Sequence, residues 1–373
     1  MDLTRGSLVI EIGGREADDL YADLTRLEVE LADDAPATFR LSLALYRGRD
    51  GAWPYLDEER LRVWSRVAVS VGFADGGHEE LVSGYVTRVR PWFDADEARC
   101  TLEVEGMDGS VLMDREEKLK DWPNKKDSDI AREILGSYGF AARVEETLVV
   151  HDEALSTVIQ RETDHQFLKR LAQRNSFSCW VEGSIGHFRP LPADPVPQPT
   201  LAAHFGAETS LASFTATVDA LRPAEVGMFQ VDRFGKEVIA AGAQTPARQP
   251  LGRMGAAALL PRGMDPGRVY VAKNAATGLP EMAALCQGVF DEGGWFVSGE
   301  GETLPAAYGH VLRPRGLVTV KGVGESYSGV YYVSYVRHTL TAAGYTQFFR
   351  VRRDALFPTG AEDFSSGGAP ELL

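Results

Sequence analysis

The sequence is poor in cysteine and lacks long hydrophobic runs. It has three cysteines in 373 residues, and Cys100, Cys179 and Cys286 are far apart and never in a Cys-x-x-Cys pair. They predict neither a disulfide framework nor a zinc site. The apolar run at residues 8–10 ends at Glu11 and lacks the basic leader of a signal peptide. No apolar stretch reaches about 20 residues, so we expect a protein made in the cytoplasm without membrane insertion.

Positive charge is also scarce. Lysine and arginine number 39 against 54 acidic residues, which gives a formal net charge of −15. Such a surface repels phosphate backbones and anionic lipid, so we expect no nucleic-acid partner. An acidic soluble protein without any electrostatic role explains the charge equally well. Hydrophobic residues make up 44% of the chain and charged residues 25%, which is typical of globular proteins, and the length suggests two or three compact units.

The first hundred residues alternate apolar and polar positions, which is typical of strands with one buried face. A turn is expected at residues 75–77, after one of these strands. One apolar face per strand indicates a small antiparallel barrel or sandwich. The alternating apolar residues are Leu8, Ile10 and Ile12; Leu27, Val29 and Leu31; Phe39, Leu41, Leu43 and Leu45; Val67, Val69, Val71 and Phe73; and those in 85–89 and 100–104.

The pattern changes after about residue 110. A helix is predicted to begin at Ser128 and to end at Gly139. A second helix is predicted from the capping box of Thr163 and Gln166, followed by an apolar face. A hairpin is expected to turn at residues 183–184. Five prolines then stand between residues 190 and 199, and we interpret this stiff segment as a domain boundary.

Strand patterns return beyond the prolines, at residues 211–221, 226–231, 316–323, 331–340 and 345–353, with one helix predicted over 279–291. The expected division is a first β-barrel domain over 1–110, an αβ middle domain over 111–195, a second β-barrel domain over 196–240 and 300–357, an inserted helical and loop region over 241–299 that packs with the middle domain, and a disordered tail over 358–373.

The two strand-rich ends of the chain resemble each other. Residues 83–90 read SGYVTRVR and residues 328–337 read SGVYYVSYVR, so that YVTRVR aligns with YVSYVR. An alternating valine strand precedes each copy, RVAVSV at 66–71 and GLVTVK at 316–321, and a third strand follows, ending at Asp108 and at Asp354. Strands favour Val, Tyr and Thr, so coincidence is an alternative. A duplicated barrel would let three chains present six similar units around an axis.

Three blocks of sequence carry a family resemblance: residues 104–140, residues 159–190, and residues 318–354 with their Gly-Val-Gly, Ser-Gly, Tyr-Val and Arg-His positions. In this order the blocks resemble the phage late control D proteins, which include the hub of contractile phage tails and the hub part of VgrG spikes. The resemblance implies a mainly β fold with α+β parts, in which two related antiparallel β-barrel domains of the tail-tube type flank a central αβ region.

The same resemblance implies a non-enzymatic baseplate hub. It would be a homotrimer whose barrels form a pseudo-sixfold ring, joining a hexameric inner tube protein to a trimeric spike among other baseplate proteins. Spike fusions of the family continue into a further domain and a needle. Little sequence follows Asp354 here, so we expect the spike to be a separate polypeptide. We expect assembly in the cytoplasm and then residence in a phage tail or injection particle.

Motifs that would indicate chemistry are incomplete. Residues 324–329 read GESYSG, but a nucleophile elbow needs glycine at Ser328 and a strand-to-helix turn. Residues 299–301 and 322–324 lack the third glycine of a dinucleotide loop. The triplet at residues 151–153 points to alternating sides of an extended chain and would not converge on a metal. We therefore predict no catalytic, cofactor-binding or metal-binding residue.

Two other functions stay open. A hydrolase acting on cell wall would need a convergent acidic or Ser/His site. A surface or carbohydrate-binding module, such as part of a tail fibre, would lie at the periphery of the same machine rather than on its axis.

Overall fold

The computed structural model describes residues 8–49, 51–72, 77–154, 157–222, 225–232, 234–272, 276–305 and 307–365. The turn predicted at residues 75–77 falls largely outside them, as do residues 366–373 of the tail. Residues 358–365 form no helix or strand, and the carbonyl of Phe364 accepts a hydrogen bond from Lys321 Nζ at 3.0 Å.

The first part of the chain forms an antiparallel sheet. Its strands are β1 (Leu8–Ile12), β2 (Arg15–Glu16), β3 (Leu24–Ala32), β4 (Thr38–Ala44), β5 (Arg66–Gly72), β6 (His78–Trp92) and β7 (Thr101–Asp108). The predicted alternation is confirmed: Leu27, Val29 and Leu31 on β3 are buried, while Glu30 between them is exposed. One face of every main strand enters a single core, so the sheet curls around its own interior as a barrel does.

The middle part combines short strands with two helices. In chain order it contains β8 (Glu117–Trp122), β9 (Lys125–Lys126), α1 (Asp127–Ser137), β10 (Ala141–Val144), β11 (Val150–His151), β12 (Val158–Thr163), α2 (Asp164–Arg174), β13 (Phe177–Glu182) and β14 (Ile185–Pro190). The predicted hairpin is confirmed by the antiparallel pairing of β13 with β14. The N-cap predicted at Thr163 is also confirmed, because Thr163 Oγ1 accepts a hydrogen bond from the Gln166 amide at 3.3 Å.

The remainder returns to strands around one long helix. It contains β15 (Asp194–Ala202), β16 (Leu211–Val218), β17 (Glu225–Val231), β18 (Val238–Ala243), β19 (Met254–Gly255), β20 (Arg268–Tyr270), α3 (Leu279–Gly293), β21 (Val297–Thr303), β22 (Gly316–Lys321), β23 (Gly329–Thr341), β24 (Gly344–Arg353) and β25 (Ala355–Leu356). Short 3-10 helices lie at Asp18–Ala22, Glu59–Leu61, Glu97–Arg99, Gly109–Asp114, Gly206–Glu208 and Ala256–Leu259. Within the described ranges, none of the helices has the length and hydrophobicity needed to cross a bilayer.

The duplication predicted from the sequence is confirmed by the order of the strands. In the first sheet the order is β1-β5-β6-β7-β4-β3, and in the second it is β15-β22-β23-β24-β21-β16. When the strands of each sheet are numbered in chain order from its first strand, the two strand orders are identical. The second sheet also surrounds a core of its own. The two sheets differ at one edge, where β1 is antiparallel to β5 but β15 is parallel to β22.

Irregularities in the pairing recur at equivalent positions. The β6–β7 ladder shifts register between Val86 and Arg88, and the β23–β24 ladder shifts between Val333 and Tyr335, the positions that the YVTRVR and YVSYVR segments align. The residues between them, Thr87 and Ser334, each hydrogen-bond through the side-chain hydroxyl to a carbonyl of the next strand. Two strands that share order, sequence and a bulge at the same residue are copies, because a bulge is a specific local feature.

The register corrects the flanks of the sequence alignment by one residue. Arg66 lies opposite Tyr85, and its counterpart opposite Tyr332 is Leu317 rather than Gly316. On the following strand, Asp108 corresponds to Arg353 rather than to Asp354. The sequence match could not detect this offset, since valines alternate with polar residues in either alignment.

The proline-rich segment, interpreted as a boundary, forms a strand. Residues from Asp194 onwards make up β15, which lies at one end of its branch of the sheet and pairs with β22. The register of that pairing breaks twice, once between residues 194 and 197 and once between 198 and 201. Prolines are tolerated here because an edge strand with bulges does not need every amide as a donor.

A further core lies between α3 and the strands β17, β18 and β20. It contains Val226 and Met228 from β17 and Met282 and Phe290 from α3. The sequence-based division placed 196–240 in the second barrel, but β17 and β18 turn their apolar faces to α3 instead. On the basis of this shared core, we propose that the inserted region begins at Glu225 instead of at residue 241. The division into domains as a whole stays a prediction.

Replacing Thr163 by alanine removes the side-chain cap of α2. We expect Thr163→Ala to lower the free energy of unfolding by about 1 kcal/mol, because an orphan amide at the helix start loses its acceptor. Thr163→Ser keeps the hydroxyl and should retain most of the stability. Urea denaturation followed by circular dichroism measures both, and equal losses in the two variants would contradict the capping role.

Candidate functional site

The two sheets are joined edge to edge inside one chain. Strand β3 of the first sheet pairs with β23 of the second in antiparallel register, from Ala32 opposite Tyr335 to Arg26 opposite Thr341. Thirteen of the described strands thereby form one continuous sheet. Side chains of β23 serve both interiors: Val336 packs in the second core, whereas Leu340, near the end of the strand, packs in the first.

A ladder of charged side chains crosses the polar face of this joined sheet. Glu28 on β3 lies 3.8 Å from Arg40 on β4 and 4.0 Å from Arg337 on β23. Arg40 also lies 3.0 Å from Glu105 on β7, which is 3.3 Å from Arg88 on β6. Each exposed pair contributes at most about 1 kcal/mol, so the ladder matters less for stability than for giving both sheets one alternating charged surface.

Buried polar groups lie beneath the joint. Arg315 precedes β22 with a backbone φ of 67°, its guanidinium donates to the carbonyl of Ala32, and it sits 4.9 Å from the ring centroid of Trp180 in the middle part. The Tyr332 hydroxyl donates to Asp33 Oδ2 at 2.9 Å. Burial lowers the pKa of Arg315 and raises the pKa of Asp33 from their usual values. This cluster ties the first sheet, the second sheet and the middle part together.

A cleft of about 410 Å³ opens beside this cluster, between β6, β13 and the segment before β22. Arg313 spans it, donating to the carbonyl of Glu80 at 2.7 Å and lying 3.5 Å from Glu79 and 3.7 Å from Glu182. Arg313 therefore pairs with charged residues on two walls of the cleft and links β6 and β13 to the segment before β22.

A buried ion cluster holds the middle part together. Asp127, the first residue of α1, lies 3.1 Å from His151 Nε2, and it accepts hydrogen bonds from Arg174 Nε and from Asn175 Nδ2, each at 2.6 Å. Burial alone would raise the pKa of Asp127, but the hydrogen bonds from His151 and Arg174 outweigh it and lower the pKa to about 2. A carboxylate that is hydrogen-bonded to three partners holds the segments of those partners together.

The sequence did not reveal this cluster, because its members are spread from residue 127 to residue 175. Of the triplet considered at 151–153, the structure separates His151 from its neighbours: His151 is buried on β11, whereas Asp152 and Glu153 are exposed. Asp152 instead accepts the amide of Ala154 at 2.9 Å. The only sequence signal was an acidic residue directly before the predicted helix start.

The GESYSG segment at residues 324–329 is the connection from β22 to β23. Its Ser328 amide donates to the carbonyl of Gly324 at 2.9 Å, and its Ser328 carbonyl accepts from the fully buried Arg353 at 3.1 Å. The strand-to-helix turn of a nucleophile elbow is not formed in this segment. Among the side chains that the structure describes, no group of three or more His, Cys, Asp or Glu is arranged to hold a metal ion.

Several strand edges have no neighbour in the described structure, and two of them belong to the joined sheet at β16 and at the end of β6. β16 ends the strand order of the second sheet and pairs only with β21. β6 pairs with β5 as far as Tyr85, but its last residues pair only with β7. Trp92 at its end is 59% exposed and the following Phe93 is 55% exposed. Unpaired edges of this kind are templates for another strand.

Comparison of the sequence with family models gives one match. The family described as the Alg8 N-terminal domain matches residues 6–291. No curated protein matches the sequence.

Comparison with solved structures identifies the fold. The 43 kDa tail protein of prophage MuSo2 from Shewanella oneidensis has a TM-score of 0.67 at 16% identity, over 94% of this chain and 99% of that one. A tail protein from Neisseria meningitidis has a TM-score of 0.66 at 14% identity, over 95% and 98%. An E. coli component of the type VI secretion system has a TM-score of 0.53 at 11% identity, over 94% and 76%. The chain therefore has the fold of phage tail proteins.

We expect Asp127→Asn to lower the free energy of unfolding at pH 7 by about 2 kcal/mol, because it leaves the half-buried Arg174 charge without the carboxylate that it binds. The lowered pKa of Asp127 means that its contribution is complete above the unfolded value near 3.8 and is lost as the pH falls towards 2. Chemical denaturation between pH 7 and pH 2 should therefore show a shallower pH dependence in the variant.

Asp152→Asn is the matched control for this prediction. It makes the same chemical change at an exposed position of the neighbouring loop and should leave both the stability and its pH profile nearly unchanged. A similar loss in both variants would contradict the role given to the buried cluster.

Proposed function

We propose that this chain, which belongs to the Alg8 N-terminal domain family, is a structural baseplate hub of a phage-tail-like contractile injection machine. In this proposal it is a homotrimer without enzymatic activity. It joins a separate trimeric spike protein to a hexameric inner tube protein, in contact with other baseplate proteins. It assembles in the cytoplasm and then forms part of the particle.

The observation that carries the proposal is the repeated sheet. Two copies with the same strand order and a bulge at the same residue lie side by side in one chain. A threefold assembly of such chains contains six nearly equivalent sheets, so its one face can match a sixfold ring while the rest of each subunit keeps threefold symmetry. A single-sheet subunit could not serve both symmetries.

The charged ladder adds a second argument. It runs over both sheets without interruption at the joint, from Arg88 on β6 to Arg337 on β23. In a closed ring, water would cover this surface of alternating positive and negative charge. Passing cargo would then meet no apolar patch to which it could adhere. We propose that this polar face borders the channel.

The likeness to solved tail proteins supports the same role. The first two structures compared are phage tail proteins covered almost along their whole length. The E. coli component is described as structurally similar to the T4 bacteriophage tail proteins gp27 and gp5. These neighbours are named as tail or secretion-system components, and the geometry of the paired sheets is suited to assembly.

Native mass spectrometry of the purified chain tests the proposal. We expect a species of three times 40.7 kDa, alone or when the tube and spike proteins of the same genome are added. Exclusively monomeric protein in the presence of both partners would overturn the homotrimer.

Electron microscopy of particles that carry a labelled copy of the chain separates the hub from a peripheral module. The label should lie on the particle axis, between the inner tube and the spike. A label on the outer fibres would instead support the surface-binding function.

A further inference from the structure

The strands that join the two sheets have counterparts that are not joined. By strand order, β3 of the first sheet corresponds to β16 of the second, and β23 of the second corresponds to β6 of the first. Within the chain, β3 pairs with β23. The counterpart contact, between β16 and β6, is absent from the described chain, although both of its strands have a free edge.

The correspondence of β3 and β16 extends to single residues. The register of β3 against β4 shifts between Leu24 and Arg26, and that of β16 against β21 shifts between Leu211 and Ser213. Counting onwards from this shared bulge, Glu30 of β3 corresponds to Thr217 of β16.

The free edge of β16 has none of the usual protection against pairing. Its sequence, LASFTATV, contains no charged residue and no proline. Soluble proteins normally blunt an exposed edge strand with lysine, proline or a cover. An uncharged edge of this length is suited to a partner strand.

The end of β6 leaves the matching edge open, although Pro91 at this end has no amide to donate to a partner strand. In β23 the first residues pair with β22 and the later ones, from Tyr335 onwards, pair on that same edge with β3. In β6 the first residues pair with β5, up to Tyr85. Val86 still exchanges backbone hydrogen bonds with Trp64 and Ser65, and no backbone partner is found on that edge for the described residues that follow it in β6. β6 therefore leaves open the stretch that its counterpart uses to join the other sheet.

An apolar side chain directly after β6 is exposed, whereas its counterpart in β23 is buried by the joint between the two sheets. Leu340 of β23 enters the core of the neighbouring sheet and is 4% exposed, opposite Leu27. Its counterpart after β6 is Phe93, which is 55% exposed although its ring meets that of Trp53 edge-on at 5.1 Å. The counterpart of Leu27 is Phe214, which packs only partly against the second core. Bringing Phe93 of another copy against Phe214 would bury both rings.

We propose that β16 of one subunit pairs antiparallel with the end of β6 of the next copy of this chain, in the register of the internal β3–β23 joint. Thr217 then lies opposite Arg90 of the partner subunit, as Glu30 lies opposite Arg337 within the chain. The contact is heterologous and repeats around the ring, so that joints within chains alternate with equivalent joints between chains. The inference rests on the proposed function for the number of copies that closes the ring.

Cysteine cross-linking of the full chain tests the register. In Arg90→Cys combined with Thr217→Cys, directly opposite residues of antiparallel strands place their Cα atoms about 4.5–5.5 Å apart, within the range of a disulfide. Oxidation should give covalent dimers and trimers on a non-reducing gel. The native Cys100, Cys179 and Cys286 are buried, so the unmodified chain should give none.

Two matched variants control the experiment. Glu30→Cys with Arg337→Cys places the pair at the equivalent internal joint and should lose its free thiols without any increase in mass. Arg90→Cys with Ala216→Cys moves one partner by a single residue, which turns it to the other face of β16, and should not cross-link.

Native mass spectrometry of the same samples separates the possible failures. Trimers that cross-link through residues 90 and 217 support the pairing. Trimers in which that pair does not cross-link, while the internal pair does, overturn the pairing and leave the proposed function intact. Protein that is monomeric with tube and spike partners present overturns both.

A second variant avoids any dependence on cysteine chemistry. Thr215→Lys with Thr217→Lys adds two charges to the β16 edge, and we expect at least a tenfold weaker self-association by mass photometry. Ala257→Lys with Ala258→Lys adds the same charge to an exposed 3-10 helix and should leave association unchanged. Equal association in both variants would overturn the assignment of the β16 edge.

Discussion

The pairing of β3 with β23 is the constraint on which the rest of the architecture depends. Each of the two strands gives one face to a hydrophobic core, so the hydrogen bonds between them fix the positions of two cores at once. A single unbroken sheet then carries the charged ladder, and the polar cluster around Arg315 fills the space beneath the joint. Separate barrels connected by a flexible linker would hold none of these features in register.

The bulge shared by β6 and β23 explains how one strand serves two neighbours. An extra residue bends a strand and increases its local twist, and in β23 the bulge at Ser334 falls between the segment that pairs with β22 and the segment that pairs with β3. β6 carries the same bulge at Thr87, although only its first segment has a neighbour on that edge. The pairing proposed between copies of the chain would give this bulge of β6 the same use that it has in β23.

Buried and half-buried charges tie separate segments of the chain together. Arg315 links three parts of the chain, Asp127 fixes α1 to the end of α2, and Arg353 holds carbonyl groups from three segments near the second sheet. Desolvating such groups costs free energy that their partners only partly return. Their benefit here is geometric, since a guanidinium with several fixed acceptors permits few alternative arrangements of the segments it contacts.

The sequence alone determined many strands of the two large sheets and their buried faces, the cap of α2 at Thr163 and the existence of the duplication, because hydrophobic period and capping chemistry are local. It did not determine which strands are neighbours. The alignment around Arg66 was one residue off, the proline-rich segment interpreted as a boundary pairs with β22, and β17 shares a core with α3 that no local pattern indicated. Pairing, register and the cluster at Asp127 join residues that are distant in the chain. Only the tertiary structure decided them, because an alternating pattern specifies which side of a strand is buried but not what lies beside it.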